Sequence, residues 1–375
     1  MPKNIFSLLD TPAYGGAEEY LLAVLFHLST RGYTVVLATN NSAVKQKARN
    51  HIRVIDLPYR LDAIGNWKGL IKYFLALPSS LFWVFQTLRS FPSLPICIFP
   101  GFSDRLSFSP LVKWMGCRLM WLEYGPLEPT FQRNFGFPKL LYAITRSYPD
   151  KIITISDWTK KSLLSVGRIP LHKISIIYPG VDTRQQNMKQ ETSGKSMFTV
   201  IAIARMATEK EIDVLLQAWR IAEMKDCKLI LIGDGPERKS LEQLAKDLEI
   251  SHSVHFMGFI PEEEKRTLLK KADLFVFPSA WSLEGFGMTT IEAMVAGLPI
   301  LTTGYGPQAE IVQNEKNGWY FHPHDSGDLA KKLQIALESN RRKTFAKESV
   351  MIVKRKFSLD KMLISWEKEL SFSSK

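Results

Sequence analysis

The apolar residues of this chain fall into short continuous runs, separated by longer stretches with helical spacing. The runs Asn4 to Leu9, Ile96 to Phe99 and Leu274 to Phe277 are predominantly apolar on both faces, as buried strands of a parallel sheet are. The first run leads into a glycine turn and an amphipathic stretch that ends at Gly32. This order of strand, turn and helix predicts an α/β protein with parallel sheets.

The same pattern continues along the chain. The further predicted strands are Thr34 to Ala38, Leu119 to Leu122, Lys151 to Ser156, Phe198 to Ala204, Leu229 to Ile232, Val254 to Gly258 and Ile300 to Thr302, and the last predicted helix is Ser358 to Leu370. Doubly wound sheets bind ligands at the carboxyl ends of their strands, so we expect the loops after Phe99 and Leu122 to line a binding site.

Residues 66–92 are helical in pattern, with a predicted break at Pro78 because proline cannot donate a helix hydrogen bond. The apolar side chains exceed what one buried face needs, and they are Trp67, Leu70, Ile71, Phe74, Leu81, Phe82 and Phe85. Two interpretations stay open. The segment forms a pair of core helices over the sheet, or it enters the membrane interface, with Lys68, Lys72 and Arg89 at its edge.

The stretch 273–299 combines a strand, a loop with Glu284, and a helix predicted from near Met288 to Gly297. The free N–H groups and the positive dipole end of such a helix attract an anion. Carboxylates repel phosphate but accept hydrogen bonds well from sugar hydroxyls. A helix start flanked by the carboxylates of Glu284 and Glu292 therefore predicts a ligand with both phosphate and sugar, which is a nucleotide-sugar.

The block EGFGMTTIEAMVAGLP, with seven residues between Glu284 and Glu292, strongly resembles the signature of the retaining glycosyltransferases of family 4, which have the GT-B fold. The resemblance implies that Glu292 holds the nucleotide ribose. It also implies that Glu284, with the backbone of the following Gly-Phe-Gly, holds the donor sugar and diphosphate. The donor-binding residues expected between the two glutamates are Gly285, Phe286, Gly287, Met288 and Thr289.

Two further blocks resemble the same family. The block GGAEEYLLAVLFHLSTRGYTVVLAT begins with Gly15 and Gly16, which the resemblance places against the donor phosphates. Arg205 and Lys210 fall where the family's phosphate-binding arginine and lysine fall, and Glu211 stands at the usual place of a glycine. The resemblance therefore implies a phosphate site with two cations.

The chain has no Asp-x-Asp pair, the usual chelator of a metal–diphosphate complex. We expect Arg205, Lys210 and the helix start at Gly287 to neutralise the leaving nucleoside diphosphate as fixed charges and dipoles, so no metal and no other cofactor is expected. Many family members carry a histidine where Glu123 stands. Glu123 either orients an acceptor hydroxyl or pairs with a nearby arginine or lysine.

The net charge of +12 is concentrated in one half of the chain. Residues 1–185 hold 22 Lys and Arg against 11 Asp and Glu, whereas the remainder holds 27 against 26. A basic half suits an anionic membrane surface or an anionic substrate, and no sequence signature supports nucleic acid. We recognise no signal peptide, and Tyr73 to Leu88 is too short for a membrane span. A cytoplasmic protein is expected, either free or peripheral on the inner face of the membrane.

The resemblance implies two Rossmann-like doubly wound domains that face each other across a cleft. The expected boundaries are 1–185 for an acceptor-side domain, 186–196 for a polar linker, 197–355 for a nucleotide-sugar domain and 356–375 for a helix that crosses back to the first domain.

The principal hypothesis is a retaining glycosyltransferase that moves a hexose-type sugar from a UDP- or GDP-linked donor to a glycan or lipid-linked acceptor, in cell-surface polysaccharide or glycolipid synthesis. Two alternatives stay open. One is a GT-B enzyme that alters the sugar-nucleotide without transferring the sugar, such as an epimerase. The other is a non-catalytic, membrane-docked scaffold of the same fold.

Overall fold

The structure, a computed structural model, describes residues 4–11, 14–61, 67–132, 136–184 and 197–371. The chain divides into two compact units. The first unit comprises Met1–Pro179 and Asp360–Lys375, and the second comprises Gly180–Leu359. The stretch predicted as a linker, 186–196, lies outside the described residues.

The first unit is built on a seven-stranded sheet in which every described pairing is parallel. The strands are β1 (Asn4–Leu9), β2 (Thr34–Thr39), β3 (Arg53–Asp56), β4 (Ile96–Phe99), β5 (Arg118–Glu123), β6 (Lys151–Thr154) and β7 (Ile174–Ile176). Their order in the sheet is β3-β2-β1-β4-β5-β6-β7. The predicted bounds of β1 and β4 are confirmed, because these strands are buried along their whole length and their apolar runs mark them fully.

The helices of the first unit are α1 (Gly16–Thr30), α2 (Ser42–Ala48), α3 (Trp67–Arg89), α4 (Phe102–Trp114), α5 (Glu128–Phe131), α6 (Phe137–Thr145) and α7 (Asp157–Ser165). The last helix of the chain, Leu359–Ser371, also packs on this unit almost entirely. Its Trp366 indole donates a hydrogen bond of 2.7 Å to the Tyr20 hydroxyl. Its Glu367 accepts a hydrogen bond of 2.7 Å from Arg31 and lies 2.5 Å from His27.

The second unit is built on a six-stranded parallel sheet of order β10-β9-β8-β11-β12-β13. The strands are β8 (Phe198–Ile203), β9 (Cys227–Ile232), β10 (Val254–Gly258), β11 (Leu274–Phe277), β12 (Ile300–Thr302) and β13 (Gly318–Tyr320). The helices are α8 (Ile212–Ile221), α9 (Arg238–Asp247), α10 (Glu262–Lys271), α11 (Met288–Val295), α12 (Gln308–Ile311), α13 (Ser326–Glu338) and α14 (Arg342–Lys356), followed in chain order by α15, the last helix of the chain. Two parallel-sheet α/β units of this kind form the GT-B fold, as expected.

The predicted break at Pro78 is wrong, because α3 runs unbroken through this residue. Pro78 lies on the exposed side of the helix, where water can satisfy the backbone carbonyl that proline leaves without a donor. The hydroxyls of Ser79 and Ser80 add hydrogen bonds of 2.9 and 2.7 Å to the Ala76 carbonyl. No helix among the described residues has the length and apolarity needed to cross a bilayer.

Both sheets reverse their strand order at one point, between β1 and β4 in the first and between β8 and β11 in the second. At such a point the loops after the two neighbouring strands run in opposite directions and leave a crevice at the carboxyl edge of the sheet. In the second sheet the loops that leave this point carry Arg205, Lys210 and Glu284.

Candidate functional site

The loops after β8 and β11 are joined by hydrogen bonds at the reversal point of the second sheet. The loop after β8 forms a short 3-10 turn, Thr208–Lys210, before α8 begins. The Ser279 hydroxyl, in the loop after β11, donates a hydrogen bond of 2.7 Å to the Glu209 carbonyl in this turn. The two loops therefore hold their polar side chains in a fixed relation.

Lys210 and Glu284, which the sequence separates by 74 positions, form a direct ion pair. Both side chains are largely buried. The Lys210 ammonium also lies 4.9 Å from the centre of the Trp281 ring, within reach of a cation–π contact. Two of the predicted donor-binding residues are thus brought together, and a cation stands next to the carboxylate proposed to hold the sugar.

Glu211 adopts the left-handed backbone conformation, with φ of 52° and ψ of 38°. This geometry explains why a glycine is usual at this place, since a side chain there is strained. The buried carboxylate makes two contacts in return. It accepts a hydrogen bond of 2.9 Å from the Ala280 backbone N–H and lies 3.0 Å from the His324 ring. Glu211 therefore helps to anchor the loop after β11.

Gly287 is the N-cap residue of helix α11, and its φ of 104° places it in the left-handed region. A Cβ at Gly287 would lie 2.1 Å from the side-chain nitrogen of Gln308, so only glycine fits. The same Gln308 nitrogen donates a hydrogen bond of 3.2 Å to the Phe286 carbonyl. Because the Phe286 side chain is buried against Phe357, with ring centroids 5.4 Å apart, this residue can offer a ligand only its backbone.

Glu292 lies in the second turn of α11 and pairs with Lys265 of α10 at 2.8 Å. Lys265 also lies 2.8 Å from Glu262. Burial raises the pKa of the Glu292 carboxyl, and the Lys265 charge opposes this rise. Burial acts to lower the pKa of Lys265, but the two neighbouring carboxylates outweigh it and the net shift is upward. Lys265 is therefore a permanent positive charge beside Glu292.

Arg205 stands apart from the contact between Lys210 and Glu284. It pairs with Glu209, four positions later in the same loop, and 63% of its side chain is exposed. The guanidinium therefore remains accessible to an anion. Thr289 and Met288 lie at the start of α11 and are partly exposed.

The remaining predicted site residues, Gly15, Gly16 and Glu123, lie in the first unit. Gly15 caps α1, and its backbone N–H donates a hydrogen bond of 2.8 Å to Glu18. The buried Glu123 carboxylate pairs with the buried Arg105 guanidinium at 2.7 Å. Burial raises the pKa of Glu123, and Arg105 opposes this rise. Of the two interpretations left open for Glu123, the structure contains the ion pair, and a role toward an acceptor stays a prediction.

Sequence reasoning missed Lys265 and Arg105, the partners of Glu292 and Glu123. The spacing of Glu262 and Lys265 indicates only a local pair within one helix. Lys265 and Glu292 lie 27 positions apart in the sequence and on different helices. Their contact therefore depends on how α10 and α11 pack.

Two family models match the two halves of the chain. The model described as Glycosyltransferase Family 4 matches residues 14–185, and the model described as Glycosyl transferases group 1 matches residues 183–350. Together they cover the glycine turn of the first unit and the whole candidate site of the second.

Two relatives with similar sequences are also named as glycosyltransferases. An uncharacterized glycosyltransferase of Methanocaldococcus jannaschii is 30% identical over 192 residues, covering 48% of this chain and 49% of that protein. The amylovoran biosynthesis glycosyltransferase AmsK of Erwinia amylovora is 26% identical over 206 residues, covering 53% of this chain and 48% of that protein. The matched part of the chain thus spans about half the length of these relatives.

The fold has solved counterparts. The crystal structure of HepE from Anabaena, in complex with UDP and glucose, superimposes with a TM-score of 0.80 at 20% identity, covering 98% of this chain and 99% of that one. At this identity the likeness shows the fold alone. The two family models and the two parallel-sheet units together show that this chain belongs to the group 1, family 4 glycosyltransferases of GT-B fold.

Proposed function

We propose that the protein transfers a hexose-type sugar from a UDP- or GDP-linked donor to a glycan or lipid-linked acceptor, with retention of the anomeric configuration. The observation that carries the proposal is the Lys210–Glu284 ion pair at the reversal point of the second sheet, next to the start of α11. This arrangement places three groups around one crevice: a cation, a carboxylate that can accept hydrogen bonds from sugar hydroxyls, and a helix N-terminus.

Each part of this site has a chemical task in the proposal. Lys210 and Arg205 attract the diphosphate, and the N–H groups at the start of α11 donate to its oxygens. Glu284 accepts hydrogen bonds from the sugar hydroxyls, and Glu292 accepts them from the ribose. The role of Gly15 and Gly16 toward the donor phosphates stays a prediction from the resemblance.

Breaking the bond between sugar and phosphate leaves negative charge on the nucleoside diphosphate. Arg205, Lys210 and the α11 dipole stabilise that charge as it develops, because they are already oriented toward it before the reaction. In retaining transfer the leaving phosphate oxygen takes the proton of the acceptor hydroxyl. With these fixed charges in place, the proposal requires no metal ion.

The comparisons support this choice of substrates. The HepE structure holds UDP and glucose, and AmsK is named as an amylovoran biosynthesis glycosyltransferase. The first is consistent with a nucleotide-sugar donor for this chain, and the second with a glycan acceptor.

We propose in addition that α3 docks the protein on an anionic membrane, where a lipid-linked acceptor lies. Four large apolar side chains of α3 are at least half exposed, and they are Ile71, Phe74, Leu75 and Phe82. Helix α6 extends this docking surface, because Phe137 contacts Phe74 with ring centroids 5.5 Å apart and Leu140 is 60% exposed. The positive excess of residues 1–185 complements an anionic leaflet at the inner face of the membrane.

A thermal-shift panel of UDP, GDP and their hexose conjugates tests the donor proposal. A ligand that binds only the native state stabilises it by about 2.7 kcal/mol at a concentration one hundred times its Kd. This stabilisation raises the unfolding temperature. One nucleotide series is expected to raise the unfolding temperature, and the conjugate is expected to exceed the bare nucleoside diphosphate. The proposal fails if no member of the panel shifts the transition.

A further inference from the structure

A pocket opens between α10 and α11 of the second unit. Its apolar part includes Val181, Leu269 and Val295, and its charged part includes Lys265 and Glu292. Glu292 is therefore reached from this pocket, and the lysine that pairs with it faces the same space.

Lys265 occupies a constrained position in this pocket. Only 15% of its side chain is exposed, whereas the Glu262 side chain that shares it is 58% exposed. The ammonium engages Oε2 of Glu292 at 2.8 Å. In the part of the chain that the structure describes, Oε1 of Glu292 has no hydrogen-bond partner. One carboxylate oxygen is thus held, and the other is available to a ligand.

We propose that Lys265 is a positioning residue for the donor's ribose: it holds Glu292 by one oxygen so that the carboxylate presents the other to the ribose hydroxyls. The inference rests on the proposed function, which assigns Glu292 to the ribose. It adds to that function the residue that sets the preference of the site for a ribonucleotide over a 2′-deoxyribonucleotide.

The electrostatics of the pair agree with this geometry. Glu292 is mostly buried, and burial raises its pKa toward the neutral form. A neutral carboxyl is a weaker acceptor than a carboxylate for two neighbouring hydroxyls. The Lys265 charge opposes this rise and so favours the carboxylate form. Removing Lys265 would therefore lose the orientation of Glu292 and raise the pKa of its carboxyl further.

This role differs from a general attraction of phosphate. A lysine that only attracted the diphosphate would strengthen ribonucleotides and deoxyribonucleotides equally. A lysine that acts through Glu292 strengthens the ribonucleotide more than the deoxyribonucleotide, since the missing 2′-hydroxyl removes one of the two groups that Glu292 binds.

The test compares Kd values of UDP and 2′-deoxy-UDP, and of GDP and 2′-deoxy-GDP, by titration calorimetry on the full chain. The variants are Lys265→Met, Lys265→Arg and the matched control Lys271→Met, which removes an exposed charge from the same helix outside the pocket. For the nucleotide that binds, wild type is expected to favour ribose by about tenfold, the value of one hydrogen bond to a charged group. Lys265→Met should reduce this ratio to below about threefold, and Lys265→Arg should restore most of it.

The pH dependence gives a second measurement. In Lys265→Met the ratio of the two Kd values is expected to fall further as the pH is lowered, because only the Arg266 charge then opposes the effects of burial and of Glu262 on the pKa of Glu292. The wild-type ratio should change less over the same pH range. A Lys265→Met ratio equal to that of wild type overturns the inference and leaves the proposed function standing. Equal weakening of both nucleotides also overturns it. A wild-type protein that binds neither UDP nor GDP overturns the inference and the proposed function together.

Discussion

Two glutamates of the second unit lie in different surroundings, and their alanine variants should fail differently. Glu292 contacts Lys265 at the pocket between α10 and α11, whereas Glu284 contacts Lys210 at the reversal point of the sheet. Glu292→Ala should weaken the binding of the bare nucleoside diphosphate by about 1.5–3 kcal/mol, because a charge-assisted hydrogen bond is lost. Glu284→Ala should spare the bare nucleotide and weaken the nucleotide-sugar.

Calorimetric titration of both variants with a nucleoside diphosphate and its sugar conjugate measures this difference. Arg220→Ala, on the exposed side of α8 away from these contacts, serves as the control and should match wild type for both ligands. If the two glutamate variants lose the same affinity for the bare nucleotide, the division of roles is wrong.

Asp104 in the first unit predicts a pH-dependent stability. Its carboxyl is buried at the start of α4, and burial, together with the Asp10 charge, raises its pKa to about 8. In the unfolded chain the pKa of an aspartate is about 4. The folded state therefore holds a proton that the unfolded state has lost, so this residue's contribution to stability falls as pH rises from about 4 to about 8.

Asp104→Asn keeps the shape of the side chain and removes the titration. The free energy of unfolding of both proteins is measured with denaturant from about pH 5 to about pH 8. The value for the variant minus the value for wild type should increase by up to about 1.4 kcal/mol per pH unit as the pH rises. Parallel curves for the two proteins would show that Asp104 does not retain its proton. Glu123 and Glu292, whose pKa values are also raised, act in both proteins and cancel in the difference.

The accuracy of the sequence prediction differs between elements for physical reasons. The predicted bounds of β11 and β12 agree with the structure, because both strands are short apolar runs that are buried along their whole length. The predicted bounds of β10 also agree, although this edge strand contains His255 and is partly exposed. The prediction of a helix break at Pro78 is wrong, because the effect of this proline depends on which side of α3 faces water. That depends on the tertiary structure. Glu284 and Glu292 were found by their spacing in a block that resembles a family signature, whereas Lys265, which contacts Glu292 from a neighbouring helix, gave no signal in the sequence.

Helix α3 is predicted to bind anionic membranes through its exposed apolar side chains. Replacing Phe74, Leu75 and Phe82 together by serine should reduce co-sedimentation with anionic vesicles, because these side chains are 53–77% exposed and make up most of the apolar face proposed to enter the interface. Wild-type binding should weaken as added salt shortens the screening length toward about 3 Å at 1 M.

The matched control places the same three changes on the second unit, at Ile221, Ile335 and Met351, which are 46–53% exposed. This control should sediment with anionic vesicles as wild type does, and neither wild type nor variant should sediment with neutral vesicles. Equal sedimentation of the α3 variant and wild type would exclude α3 as the docking surface.

At the scale of the whole molecule, the second unit should bind nucleotide without the first. Arg205, Lys210, Glu284 and Glu292 all lie within Gly180–Leu359. Its ends are joined, since the Val181 N–H donates a hydrogen bond of 2.9 Å to the Phe357 carbonyl.

A fragment of residues 180–359 should therefore fold and bind a nucleoside diphosphate, with no sugar transfer. The shorter fragment 197–355 should be less stable, because it lacks the Phe286–Phe357 ring contact and the backbone hydrogen bond between Val181 and Phe357. Circular dichroism and calorimetric titration check both properties. A 180–359 fragment that folds without affinity for any nucleoside diphosphate would show that the donor site is assigned to the wrong unit.

In the proposed function the protein uses a nucleotide-sugar as its donor and neutralises the leaving nucleoside diphosphate with its own fixed charges. The most direct measurement is the release of nucleoside diphosphate from UDP-glucose, UDP-galactose and GDP-mannose in the presence of EDTA, with free oligosaccharide and polyprenyl-linked acceptors, for wild type and Lys210→Ala. We expect release from at least one donor with matching sugar transfer, no effect of EDTA, and a loss of release of about a hundredfold in Lys210→Ala. Recovery of every donor intact, or conversion of a donor to its epimer without release of nucleoside diphosphate, would contradict the proposed function.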